Sequence, residues 1–140
     1  PNTKVTTPIT SAINAIKTLG IKRLSVFTPY TDEINQSVID YFKKGNIDIS
    51  ELSYFDIASD VDIGKVDPEH LFKTLAKINL NNCEALFVSC TALPILSIIN
   101  DLEKKIGKII LSSNQVLIWD TLRQINFKDK ILNFGELFNN

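Results

Sequence analysis

Short, continuously apolar runs alternate along this chain with stretches whose apolar residues recur every three or four positions. Thr7 is placed to cap a helix with Pro8 at its first position; Ile9, Ala12, Ile13 and Ile16 form its apolar face and Gly20 stops it. Arg23 to Thr28 reads as a strand, broken by Pro29-Tyr30. Thr31-Asp32-Glu33 opens a helix that runs to Gly45, and Ile47 to Phe55 is a second strand. The aspartate-rich stretch Asp56 to Asp67 reads as a loop. Asp67-Pro68-Glu69 is a strong helix start, with Leu71, Leu75 and Ile78 carrying the pattern to about Leu80. Ala85 to Ser89 is the third strand, followed by a helix over Ala92 to Lys105 that Gly107 ends. Lys108 to Leu111 is the fourth strand, and Ser112-Ser113-Asn114 caps a last helix carrying Val116, Leu117, Trp119 and Leu122. The tail from Asn126 gives no clear pattern.

Helices that separate short apolar strands imply a parallel sheet covered on both faces. The fold class expected is α/β: a flavodoxin-like, doubly wound sheet of about four parallel strands. Ligands of such sheets bind outside the carboxyl ends of the strands. Those ends are Thr28-Pro29-Tyr30, the loop around Asp60, Ser89-Cys90-Thr91 and Ser112-Ser113-Asn114. Hydroxyls, amides and one thiol, with few cations, suit a small oxygen-rich anion held by hydrogen bonds and helix N-termini. Helix capping is the better explanation for any one of these residues, and their gathering on one edge weakens it.

Composition narrows the function classes. With 140 residues, 44% of them hydrophobic, the chain is one domain with material for a core. A net charge of −1 gives no electrostatic footprint for nucleic acid or a membrane surface. No apolar run approaches the roughly 18 residues of a membrane span. Two cysteines without C-x-x-C spacing and a single histidine argue against a zinc site or a disulfide framework, and a reduced, cytoplasmic setting is expected. Neither a G-x-x-x-x-G-K-[ST] nor a G-x-G-x-x-G run is present. No aspartate ends a strand as a phosphoacceptor would, and His70 falls in a helix's first turn, where it reads as solvated surface. The segment Pro1 to Thr7 reads as a connector, and the absence of any methionine fits a piece of a longer polypeptide.

The run Leu86 to Pro94 carries the sharpest chemical signal. Cys90 closes a buried strand, Thr91 is placed as N-cap and Pro94 falls in the first turn of the helix that follows. A thiol there would meet the positive end of the helix dipole and unpaired backbone N–H groups, which favour thiolate. The alternative is that Cys90 is a small core side chain. Cys83 lies seven residues earlier, roughly 20 Å away at about 3.3 Å per residue, and reads as structural.

Three ordered motifs resemble the aspartate/glutamate racemase superfamily, in its branch of maleate cis-trans isomerases and arylmalonate decarboxylases. Ser89-Cys90-Thr91-Ala92-Leu93-Pro94 resembles the Cys-Thr-x-x-Pro signature of the second catalytic cysteine. Thr28 to Asn35 is similar to the branch's Thr-Pro-Tyr segment, and Ser112-Ser113-Asn114-Gln115 through Trp119 to its Ser-x-Asn-Gln helix start. The resemblance implies a two-lobed enzyme, with residues 1–140 as its second, C-terminal lobe and the first lobe absent. It implies chemistry without metal or other cofactor on a small carboxylic acid, and a homodimer as one assembly. Cys90 would move a proton or attack as thiolate, Tyr30 would contact the substrate carboxylate, and Thr91 with the amides after Cys90 would hold developing charge. Asp60 stands near the place of a substrate-binding asparagine in isomerase relatives, where a carboxylate would repel a dicarboxylate. Isomerase, racemase and decarboxylase chemistry stay open. The rival readings are a non-catalytic module that binds a small carboxylate and a structural lobe whose pocket has decayed.

Overall fold

A computed structural model describes residues 3–140. Its elements in chain order are α1 (Pro8–Thr18), β1 (Arg23–Thr28), α2 (Asp32–Lys44), β2 (Asp48–Tyr54), α3 (Asp60–Ile63), α4 (Pro68–Leu75), β3 (Ala85–Val88), α5 (Ile99–Ile106), β4 (Ile109–Ser112) and α6 (Ser113–Gln124), with a closing 3₁₀ turn at Glu136–Asn139. The four strands form one parallel sheet in the order β2-β1-β3-β4.

Side chains alternate across the pleat and feed two cores. Leu24, Val26, Phe87 and Leu111 pack with α1, α2 and α6 through Ala12, Ile16, Phe42 and Trp119. Phe27, Leu86, Val88 and Ile110 pack on the other face with α3, α4 and α5 through Ile63, Leu71, Leu75 and Leu102. The sheet is therefore doubly wound, as the apolar pattern predicts. Of the opening segment, Pro1 and Asn2 lie outside the described residues. The rest is irregular chain laid along α6, where Lys4 Nζ donates to the Gln124 carbonyl at 2.7 Å and Thr6 Oγ1 to Asp120 at 2.6 Å. Among the described residues no helix is long and apolar enough to cross a membrane.

Three expected elements differ. The loop over Asp56 to Asp67 contains the one-turn helix α3, because the Ser59 side chain accepts the Asp62 N–H and Ile63 is driven into the core. α4 ends at Leu75, five residues before the expected Leu80, and the chain turns so that Leu80 is buried.

The third difference bears on the site. The helix expected over Ala92 to Lys105 begins only at Ile99. A residue before proline avoids helical backbone, and here Leu93 precedes Pro94. The chain instead makes tight turns, with the Ile95 N–H on the Leu93 carbonyl at 2.8 Å and the Ile98 N–H on the Ile95 carbonyl at 3.0 Å. This lets both Leu93 and Ile95 plug the second core. Thr91 is accordingly no N-cap, and the helix that follows Cys90 in the chain does not begin at it. α5 does end where expected, on Gly107 in the left-handed region at φ 70°. The tail resolves into the 3₁₀ turn, with Leu137 and Phe138 buried in the first core.

Candidate active site

From the middle of the sheet the chain winds outward in both directions, from β1 to β2 on one side and from β3 to β4 on the other. The crevice between the carboxyl ends of β1 and β3 is thus the topological switch point, where open α/β sheets bind ligands. Phe27 pairs with Val88, so Thr28-Pro29-Tyr30 and Ser89-Cys90-Thr91 leave the sheet at the same level.

Tyr30 is fixed by its own turn. Thr28 Oγ1 accepts the Tyr30 N–H at 3.2 Å and donates to the side-chain oxygen of Asn35, whose amide returns to the Tyr30 carbonyl at 3.3 Å. Asn35 is buried in the first turn of α2. Burial pushes the Tyr30 hydroxyl far above the ordinary tyrosine range. The neighbouring Cys90 thiol adds to this, the Ser89 hydroxyl opposes it, and the Asp60 charge adds a smaller push. Tyr30 is therefore a protonated donor at any physiological pH.

Cys90 is 5% exposed and free. Its backbone sits at φ 124°; the other described non-glycine residues at positive φ are all Asn or Asp. Those two types tolerate that half of the map, and a cysteine there is strained by about 1–3 kcal/mol. The first turn of α6 grips this loop: the Cys90 N–H donates to Ser113 Oγ at 3.0 Å, and Asn114 Nδ2 to the Thr91 carbonyl at 2.8 Å. The Ala92 N–H donates to Cys90 Sγ at 3.3 Å. A backbone donor thus meets the sulfur, but it comes from a turn and not from a helix N-terminus.

Tyr30, Ser89, Cys90, Thr91 and Ser113 form the polar edge of a cleft of about 460 Å³. Pro8 and Ile9 of α1, Ile34, Val38 and Tyr41 of α2, and Phe87 of β3 make its apolar wall, and no Lys, Arg or His lines it. Of the residues singled out from the sequence, Cys90, Tyr30 and Thr91 come together here. Asp60 does not line the cleft; it is exposed at the start of α3, near enough for its charge to act on the Tyr30 hydroxyl. Cys83 is buried beyond the opposite end of β3, its thiol donating to the Leu80 carbonyl at 3.5 Å.

A second hollow of about 540 Å³ lies under the C-terminal segment beside Glu103. Burial pushes the Glu103 carboxyl up, against the pull of two backbone donors. Both its oxygens are engaged, by the Ile110 N–H at 3.0 Å and the Glu136 N–H at 2.8 Å, which makes it a fastening for the tail. Among the described residues no three His, Cys, Asp or Glu side chains gather where they could hold a metal ion.

Sequence reasoning missed Asn35 and the hold of Ser113 on Cys90. An amide in a helix's first turn reads as solvent-facing, and the Ser113 hydroxyl reads as capping. The sequence signal for both was their place inside the motif segments Thr28 to Asn35 and Ser112 to Gln115.

A family model described as arylmalonate decarboxylase matches residues 2–138. The maleate isomerase of Geobacillus stearothermophilus is 26% identical over 126 residues, 89% of this chain and 50% of that protein. The arylmalonate decarboxylase of Bordetella bronchiseptica is 22% identical over 120 residues, 84% of this chain and 50% of that protein. Among solved structures, a cysteine-to-serine variant of the Nocardia farcinica maleate cis-trans isomerase, with a covalently bound succinylcysteine intermediate, superposes with a TM-score of 0.88 at 19% identity. It covers 94% of this chain and 54% of that one. The chain thus spans about half the length of the curated relatives it matches.

Proposed function

The chain belongs to the arylmalonate decarboxylase family, and from that premise we propose that it is the second, C-terminal lobe of an enzyme acting on a small carboxylic acid, with Cys90 as the reacting group. The observation that carries this reading is the convergence of Cys90 and Tyr30 on one cleft at the switch point of the sheet. Apart from the neighbouring Asp60 carboxylate, the surroundings are those of an anion site. The Tyr30 hydroxyl and the Ser89, Thr91 and Ser113 hydroxyls supply donors along one edge.

Reaction beside a carboxylate passes through an electron-rich enediolate, and fixed donors aimed at that charge lower the barrier. Tyr30 and the donors around Cys90 take this part. Cys90 either gives a proton to the α-carbon of the enediolate, which restores the carboxylate, or adds as thiolate to an alkene carbon. In the addition, the S–C bond forms as the C=C π pair moves toward the carboxylate. Rotation about the resulting single bond and expulsion of the thiolate then return the other isomer. The family supplies precedent for a covalent cysteine adduct in the Nocardia farcinica isomerase variant. The wall opposite Cys90 comes from the lobe that makes up the other half of the relatives' length, so this lobe alone is expected to be inactive.

The test is Cys90→Ala in the protein that contains both lobes. Turnover is expected to fall at least about a thousandfold, as for loss of a nucleophile or proton carrier, while the melting temperature stays within about 3 °C. Interconversion of cis and trans alkene diacids by the unaltered protein marks thiol addition, and release of carbon dioxide marks protonation. An unchanged rate in the variant overturns the assignment and favours a lobe that only binds carboxylates.

A further inference from the structure

We infer that Ser113, with Asn114 beside it, is a positioning residue that holds Cys90 in its reactive geometry; the inference rests on the reading of Cys90 as a reacting thiol. Four observations converge on it. Cys90 occupies a backbone conformation that a side chain ordinarily avoids, at φ 124°. Such a conformation persists only where the surroundings over-determine it. The two contacts that do so come from successive residues of one helical turn: the Ser113 hydroxyl takes the Cys90 N–H, and the Asn114 amide takes the Thr91 carbonyl. With the loop held this way, the Ala92 N–H reaches the sulfur at 3.3 Å.

The grip is itself anchored. β4 runs into α6 without a connecting loop, and Ser112 and Gln115 close a capping box at the junction. The buried Gln115 amide also donates to the Phe134 carbonyl at 2.7 Å. Beside it Gly135 adopts φ 86°, and an added Cβ would lie 2.7 Å from Gln115 Nε2. The first turn of α6 is thus fastened to a strand on one side and to the tail on the other. Ser113 can act on Cys90 without being displaced by it.

The Ser113 oxygen accepts a backbone N–H and its own proton is free to turn toward the cleft, which Ser113 lines. Its first effect is on the loop. Without that acceptor the Cys90 backbone relaxes toward negative φ and the sulfur swings off the Ala92 N–H. A hydrogen bond to a charged group is worth roughly tenfold in an equilibrium, and that sets the size of the expected effect.

The test measures carbamidomethylation of Cys90 by iodoacetamide at neutral pH in this chain, mapped by peptide mass spectrometry with Cys83 as internal control. Ser113→Ala is expected to slow modification of Cys90 about tenfold, and Asn114→Ala, at a partly exposed position that folding tolerates, about threefold. Ser113→Thr, which keeps the hydroxyl, is expected to stay within about threefold of the unaltered chain. A purely structural role would act the other way, since loosening the loop uncovers a buried sulfur and speeds its reaction. Equal or faster modification in both alanine variants, with Cys90 reactive in the unaltered chain, overturns the positioning role and leaves the reading of Cys90 intact. A Cys90 no more reactive than Cys83 in the unaltered chain overturns both.

Discussion

Asp60 puts a negative charge close to Tyr30, the donor proposed to meet the substrate's carboxylate. Its effect on Tyr30 is to hold the hydroxyl protonated, which suits a donor. Its effect on the substrate is repulsion, and this falls hardest on a dianion. Two charges about 8 Å apart interact by about 0.5 kcal/mol in water and by about 2 kcal/mol at the effective dielectric of a protein surface. Asp60→Asn is therefore expected to lower the KM for a dicarboxylate by about threefold more than that for a monocarboxylate, measured in the two-lobed protein. Equal KM values before and after the change would show that Asp60 faces away from the bound acid. At this scale the sequence made legible the residues proposed to carry the chemistry, Cys90 and Tyr30, because each stands at a strand end. It left hidden those that act through position. Ser113 lies 23 residues from Cys90 along the chain, and nothing local in either segment announces the bond between them. Asn35 looks like any amide opening a helix until the turn folds back and buries it.

Among the elements, the strands and the first, second and last helices follow their apolar periodicity closely, since each buries a face it could satisfy in no other way. The stretch Thr91 to Ile98 does not. Its pattern of Leu93, Ile95 and Ile98 is as apolar as a helix requires, but the restraint of Pro94 on Leu93 and the pull of the second core favour a turn. The consequence is chemical as well as geometrical, because the donor on the Cys90 sulfur is a turn amide and the helix whose first turn meets its loop is α6. The α1–α6 junction carries the clearest polar signature between elements. Asp120 is 5% exposed, and burial opposes its charge. Hydrogen bonds from Thr6, Ser11, Asn14 and Gln124 outweigh that cost and hold its carboxyl below the ordinary aspartate range. A carboxyl depressed by folding stabilises the protein above its unfolded value, near about pH 4, and the contribution is lost as pH falls through the lower folded value. Glu103, pushed up by burial, acts in the opposite sense. Asp120→Asn is expected to lower stability at pH 7 and to flatten the acid side of the unfolding profile. Chemical denaturation across pH 3 to 7 checks this, and parallel profiles for the two proteins would contradict it.

Taken whole, the molecule is one doubly wound sheet with a cleft at its switch point. The doubly wound parallel sheet was legible because short apolar strands separated by helices need cover on both faces. The expectation of a second lobe came only through resemblance, since a unit with its own two cores gives no internal sign of what else borders its cleft. The family match and the half-length coverage of the relatives agree with that reading of a lobe. Everything else rests on one sulfur at the switch point. The most direct measurement is the rate at which iodoacetamide modifies Cys90 in this chain at neutral pH, with and without maleate or an arylmalonate at tens of millimolar. The account predicts that Cys90 reacts at least about tenfold faster than Cys83, as an accessible activated thiol does beside a buried structural one, and that the carboxylates slow it. A Cys90 as inert as Cys83, or one whose rate ignores both carboxylates, would contradict the claim that this crevice is an active site.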